Sequence, residues 1–105
     1  MAEPIYHLAI ASEWEAAVSG DGMYLTSTIG RSLADVGFIH SSFAHQVQQV
    51  LDLAYRGRDD VLLLTIDPEL VGSEVRVENL DGGDDRFPHL YGPLPVAAVT
   101  AVARA

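Results

Sequence analysis

Apolar residues recur along this chain in two rhythms, one of period two and one of helical period. Ile5–Ile10, rich in branched and aromatic residues behind Pro4, predicts a strand. Ser12-Glu13-Trp14-Glu15 has the form of a capping box and predicts a short helix from Glu13 to about Val18, stopped by Gly20 and Gly22. Met23–Thr28 reads as extended, and Arg31–Val36 as one or two helical turns ended by Gly37. Phe38-Ile39-His40 predicts a short strand running into Ser41-Ser42. Ser42 suits the N-cap of the main helix, Phe43–Arg56, in which Phe43, Val47, Val50, Leu51 and Ala54 recur at helical spacing before Gly57.

Val61–Ile66 is a continuous apolar run, the mark of a central strand. Asp67–Leu70 turns the chain, Val75–Glu78 predicts another strand, and Asp81–Asp85 reads as a solvated, mobile loop. Phe87–Leu94 is extended but holds Pro88 and Pro93, which suits an edge strand or an ordered loop. A turn over Pro95–Val99 leads to a last strand, Val99–Ala103. One main helix, short helices and predominantly short strands predict an α+β fold. The 105 residues suit one domain, 1–105, without repeats or linkers.

Composition narrows the function classes. Without cysteine there are no disulfides, thiolate nucleophiles or cysteine-held metal clusters. The N-terminal residues lack the basic region and long apolar run of a signal peptide, and no apolar stretch is long enough to span a bilayer, so a cytoplasmic protein without membrane contact is expected. The net charge of −9, with arginine as the only strong cation, argues against nucleic-acid partners, although one arginine can still grip one phosphate group.

Strand alternation then places the candidate chemistry. Ile5, His7 and Ala9 share a face, as do Phe38 and His40; Arg76 and Glu78 face opposite to Val75 and Val77; Phe87, His89 and Tyr91 lie on one side. A polar group buried without a partner costs about 2–7 kcal/mol, so these strand-borne groups are most simply explained by one shared pocket. Each also has a plain structural alternative, such as a hydrogen-bonded core histidine, and His45 reads as a surface residue. No GxGxxG, P-loop, HExxH or GxSxG motif is present, and Asp81–Asp85 lacks the pattern of an EF-hand loop.

Ile5-Tyr6-His7-Leu8-Ala9, Trp14, Tyr24, Gly37-Phe38-Ile39-His40-Ser41-Ser42 and Phe87-Pro88-His89-Leu90-Tyr91-Gly92-Pro93-Leu94 together resemble domain of unknown function family 952, over nearly the whole chain. The resemblance implies an ADP-ribosyltransferase-like fold, a mixed, split β-sheet around a cleft that binds NAD in active members of that superfamily. Carried over by position, contact with the nicotinamide ribose would fall to His7, the second motif to His40–Ser42, and assistance at the ribose anomeric carbon to Glu78. His7 and Glu78 are then the catalytic candidates. His7, His40, Ser42, Arg76, His89 and Tyr91 are the candidates for holding NAD or ADP-ribose, with Arg76 meeting a pyrophosphate oxygen and Ser42 offering helix N-terminal amides to an anion.

Three readings follow, beside the alternative of a pure scaffold or interaction domain. The leading one is a domain that binds a small ligand, such as a nucleotide, in a cleft lined by histidines and glutamate. The second is an enzyme that cleaves the nicotinamide–ribose bond, stabilising an oxocarbenium-like ribose with a carboxylate. The third is a metal site at which His7, His40, His89 and Glu78 would converge, although no pair has diagnostic ligand spacing.

Overall fold

In the computed structural model, which describes residues 3–28, 31–79 and 85–105, the strands are β1 (Ile5–Ile10), β2 (Met23–Tyr24), β3 (Thr26–Thr28), β4 (Arg31–Ser32), β5 (Ile39–His40), β6 (Val61–Ile66), β7 (Val75–Glu78), β8 (Phe87–Leu90), β9 (Leu94–Pro95) and β10 (Val99–Arg104). The helices are α1 (Ala11–Ser19), α2 (Leu33–Val36) and α3 (Val47–Ala54), with single 3-10 turns at Ala44–Gln46, Pro68–Leu70 and Val96–Ala98. Leu80 and most of the Asp81–Asp85 loop lie outside the described residues.

The apolar run of β6 is central, between β1 and β10. A second three-stranded sheet has the order β5-β8-β7, and the pairs β2-β9 and β3-β4 are small ladders beside them. The fold is α+β and the sheet is split. It is not mixed in strand direction: every described ladder is antiparallel. No helix among the described residues is long and apolar enough to cross a membrane.

Period-two alternation in β1 and β6 produces two cores. Ile5, Ala9, Leu64 and Ile66 face a cluster completed by Trp14, Tyr24, Ile39, Leu90 and Leu94. Leu8, Ile10 and Val61 face the other way, toward Tyr55 and the Val47, Val50 and Leu51 side of α3. The sheets meet at β1, where Tyr6 and Ser42 exchange backbone hydrogen bonds at 2.8 and 2.7 Å.

Several boundaries differ from the sequence expectation. Helix α1 starts at Ala11, so Ser12 lies inside it and makes no cap; Ile10 occupies the cap position without a side-chain bond. Arg31 and Ser32 belong to a strand rather than a helix, and it is Ser32 that caps α2, accepting from the Asp35 amide at 3.2 Å. Gly37 (φ 94°) ends α2 in the left-handed conformation that glycine adopts without strain. The main helix is shorter than Phe43–Arg56, and Ser42 does not cap it, because its backbone is committed to the bridge with Tyr6. Gln46 instead ties that entry, accepting from the Phe43 amide at 2.9 Å and donating to the Arg86 carbonyl at 2.8 Å.

The Phe87–Leu90 segment is the middle strand of its sheet, not an edge or a loop, and it is buried throughout. Pro88 is tolerated there because of where β5 stops. In an antiparallel ladder the N and C=O of one residue face the same neighbour. The Pro88 carbonyl accepts from the Ser41 amide at 3.0 Å, just past the end of β5, so the donor that proline lacks falls at the end of that ladder.

Candidate functional site: a cleft walled by Phe38 and His40

Antiparallel pairing sets His40 opposite His89, and His89 opposite Arg76. Phe38, His40, Phe87, His89 and the β7 side chains Arg76 and Glu78 therefore meet on one side of the β5-β8-β7 sheet, as alternation predicts. Phe38 stacks on His89 with centroids 4.2 Å apart, and the His40 ring lies 4.9 Å from that of Phe87.

Phe38, His40 and Phe87 form one wall of a cleft of about 400 Å³. The opposite walls come from Ser27 and Thr28 of β3, Arg31 of β4, Val36 of α2 and the Gln49–Ala54 side of α3. Arg31 is exposed and is the only arginine of this lining, and no carboxylate contributes to it among the described residues. A separate small cavity of about 10 Å³ shares Ser27, Thr28, His40 and Val50 with the cleft and is also lined by His7 and Ser42. Ser27 is buried, and its hydroxyl accepts from the His40 amide at 3.1 Å, which fixes β3 against β5.

His7 lines this small cavity, not the cleft, and is 3 % exposed. Its Nδ1 donates to the His40 carbonyl at 2.7 Å, leaving Nε2 to accept from the Tyr24 hydroxyl at 3.2 Å. Burial lowers its pKa to about 4, overcoming the opposing pull of the His40 carbonyl, so the ring is neutral at physiological pH. Burial likewise pushes the Tyr24 phenol up. Ser42 is buried and lines this cavity, but its backbone is bonded to Tyr6 and the cap position of the Ala44–Gln46 turn belongs to Phe43, so Ser42 does not cap a helix.

The other nominated residues stand behind the cleft wall. His40 Nδ1 is 3.3 Å from His89 Nε2, and His89 Nδ1 is 3.0 Å from Glu78 Oε1. The Tyr91 hydroxyl donates to the same Glu78 oxygen. These two donors, Tyr91 first and His89 second, hold the Glu78 carboxyl below its ordinary range, while the carboxylate raises Tyr91. Arg76 pairs with Glu74 at 2.9 Å and lies over the Tyr91 ring, 4.6 Å from its centroid. His89 is buried, and Glu78 is partly open to solvent and does not line the cleft.

The nominated residues thus form two groups joined at His40: His7 and Ser42 inward, His89, Glu78, Tyr91 and Arg76 behind. They do not converge on one ion. Both ring nitrogens of His7 are engaged by His40 and Tyr24, and no cluster of three or more metal-ligating side chains occurs among the described residues. His45 is exposed, stacked near Phe43 and away from the cleft. Pattern reasoning missed Arg31, Ser27, Thr28 and Gln49, which reach the cleft from elements distant in sequence. The phosphate-gripping potential of a lone arginine was the signal that could have found Arg31.

Fold and cleft together define a small α+β protein with one wall of its cleft built on paired histidine strands. The chain belongs to the family described as "Protein of unknown function (DUF952)", whose model matches residues 8–102. It is similar to protein CC0527 from Caulobacter crescentus. A crystal structure of that protein is 39% identical, covering 96% of this chain and 84% of that one, with a TM-score of 0.81. A solution NMR structure gives 36% identity, 96% and 83% coverage and a TM-score of 0.78. No curated protein matches the chain.

Proposed function

We propose that this protein binds a small anionic ligand of nucleotide type, NAD or ADP-ribose, in the cleft beside His40. The observation that carries the reading is the cleft itself. Its volume of about 400 Å³ falls in the range of roughly 300–1,000 Å³ typical of small-molecule sites. Its make-up is also typical, with aromatic and aliphatic walls and a few polar groups, Ser27, Thr28, His40 and Gln49. Phe38 and Phe87 suit a base or nicotinamide ring, and the Arg31 fork suits a phosphate oxygen. The ADP-ribosyltransferase-like resemblance supplies the ligand class; His7 and Ser42 would stand at the ribose end, with His89, Tyr91 and Arg76 bracing the wall.

Binding is favoured over cleavage of the nicotinamide–ribose bond because the described lining holds no carboxylate, and Glu78 is engaged by Tyr91 and His89. Isothermal titration with NAD, ADP-ribose and adenosine tests both. Saturable binding of the two phosphate-bearing ligands is expected, weakened about ten-fold in Arg31→Gln, as for loss of one charge-assisted pair. No heat and no thermal shift at millimolar ligand would overturn the reading, and nicotinamide release that stops in Glu78→Gln would establish the enzyme instead.

A further inference from the structure

Where β1 begins, the chain holds a second recess that shares no lining residue with the cleft beside His40. Tyr6 alternates onto the face of β1 that carries Leu8 and Ile10, and its backbone bridge to Ser42 keeps it close to Phe43. The corner that follows is fixed as well. Buried Gln46 accepts from the Phe43 amide at 2.9 Å and donates to the Arg86 carbonyl at 2.8 Å. Phe43 and His45 leave this corner with parallel rings, 5° between planes and 6.3 Å between centroids.

The recess has two parts. One, of about 490 Å³, is lined by Glu3, Pro4, Tyr6, Phe43, Ala44 and His45. The other, of about 360 Å³, is lined by Tyr6, Ala44, Val47, Gln48 and Leu63. Tyr6 and Ala44 belong to both, so the parts adjoin, but their chemistry differs. The first joins aromatic rings to the carboxylate of Glu3, which is exposed and pairs with no arginine among the described residues. The second is mainly aliphatic, and its Gln48 amide is tied to Asp52 at 3.0 Å. No arginine lines either part, and the chain has no lysine.

We propose that this recess is a second binding site, for a small organic cation with an apolar tail. The ammonium head sits against Glu3 and the rings of Tyr6 and Phe43, and the tail runs along Val47 and Leu63. Aromatic rings attract a cation through the negative faces of their π-systems, and quaternary ammonium groups are bound in this way. Glu3 adds a full charge at one end, and the net charge of −9 draws cations while repelling anions. Val47 and Leu63 are only half-buried, so an alkyl tail laid on them removes apolar surface from water on both sides. The cleft beside His40 offers Arg31 and no carboxylate among its described lining, so the two sites select opposite ligand charge. Binding here does not depend on the nucleotide reading of that cleft.

NMR titration of the full chain with hexyltrimethylammonium, tetramethylammonium and hexanoate, each to the millimolar range, tests the site. Hexyltrimethylammonium should shift the signals of Tyr6, Ala44, His45 and Val47 saturably and leave those of Arg31 and Phe38 in place. Tetramethylammonium should bind about ten-fold more weakly, the equivalent of roughly two buried methylenes, and hexanoate should not bind. Glu3→Gln, a change at an exposed position outside the core, should weaken the hexyl cation about three-fold, as for one exposed charge pair. The proposal is overturned by the absence of saturable shifts, by hexanoate or tetramethylammonium binding as tightly as the hexyl cation, by shifts centred on Arg31 and Phe38, or by unchanged affinity in Glu3→Gln. No nucleotide enters the titration, so its failure leaves the reading of the cleft standing.

Discussion

A histidine fully enclosed by its own fold resists protonation, and His7 carries this to the point of linking stability to pH. Its ordinary pKa of 6.5 falls to about 4 in the folded chain. Between those values the unfolded chain binds the extra proton, so stability present above pH 6.5 is lost as pH falls toward 4. From pH 7 to pH 5 the loss should be roughly 2 kcal/mol. Glu78 acts in a lower window: its lowered pKa contributes stability above the ordinary value of 4.5, lost as pH falls through the folded value. Urea unfolding of the wild type and of His7→Gln, whose amide can meet both His40 and Tyr24, checks the assignment. The wild type should lose the larger stability between pH 7 and pH 5; equal losses would assign the linkage elsewhere.

At the scale of elements, strand β8 and its exit organise the site. Just beyond it, Gly92 passes so close to the loop before β7 that a Cβ there would lie 2.5 Å from Ser73 Cβ and 2.8 Å from Ser73 Oγ. Gly92→Ala should therefore destabilise the fold by roughly 1–3 kcal/mol, as overpacking does, and Ser73→Gly in the same chain should recover part of that. A thermal midpoint unchanged in Gly92→Ala would show that the two segments separate freely. Elements such as β1 and β6 were legible in the sequence because period-two alternation or a continuous apolar run reports burial locally. The central place of β8 was not, since Pro88 is acceptable only where a neighbouring strand happens to end. Arg31-Ser32 was misread because the cap of α2 is Ser32, one residue into the expected helix. The shared face of His40, His89 and Glu78 followed from alternation, whereas Arg31 and Ser27 joined the cleft through tertiary packing that alternation does not encode.

For the molecule as a whole, electrostatics work against compactness. Fifteen carboxylates face six arginines, giving −9 at neutral pH. Among the described residues, the Arg–carboxylate pairs Arg58–Asp60 and Arg76–Glu74 join residues two apart in exposed positions. Residues so near in sequence stay near when the chain unfolds, so such pairs add little to the difference between the two states. The repulsion among the remaining carboxylates is different: folding brings them together, and unfolding relieves it. Salt shortens the Debye length from about 30 Å at 10 mM to about 8 Å at 0.15 M, a range over which long-range repulsion fades while contact pairs weaken only modestly. The unfolding midpoint should therefore rise with NaCl over that interval and then level off, as scanning calorimetry can follow. A falling midpoint would mean that exposed ion pairs outweigh the net charge. The same field would oppose the anionic ligand proposed above, so binding of its phosphate would depend on Arg31, an exposed residue of the cleft lining that acts at contact range.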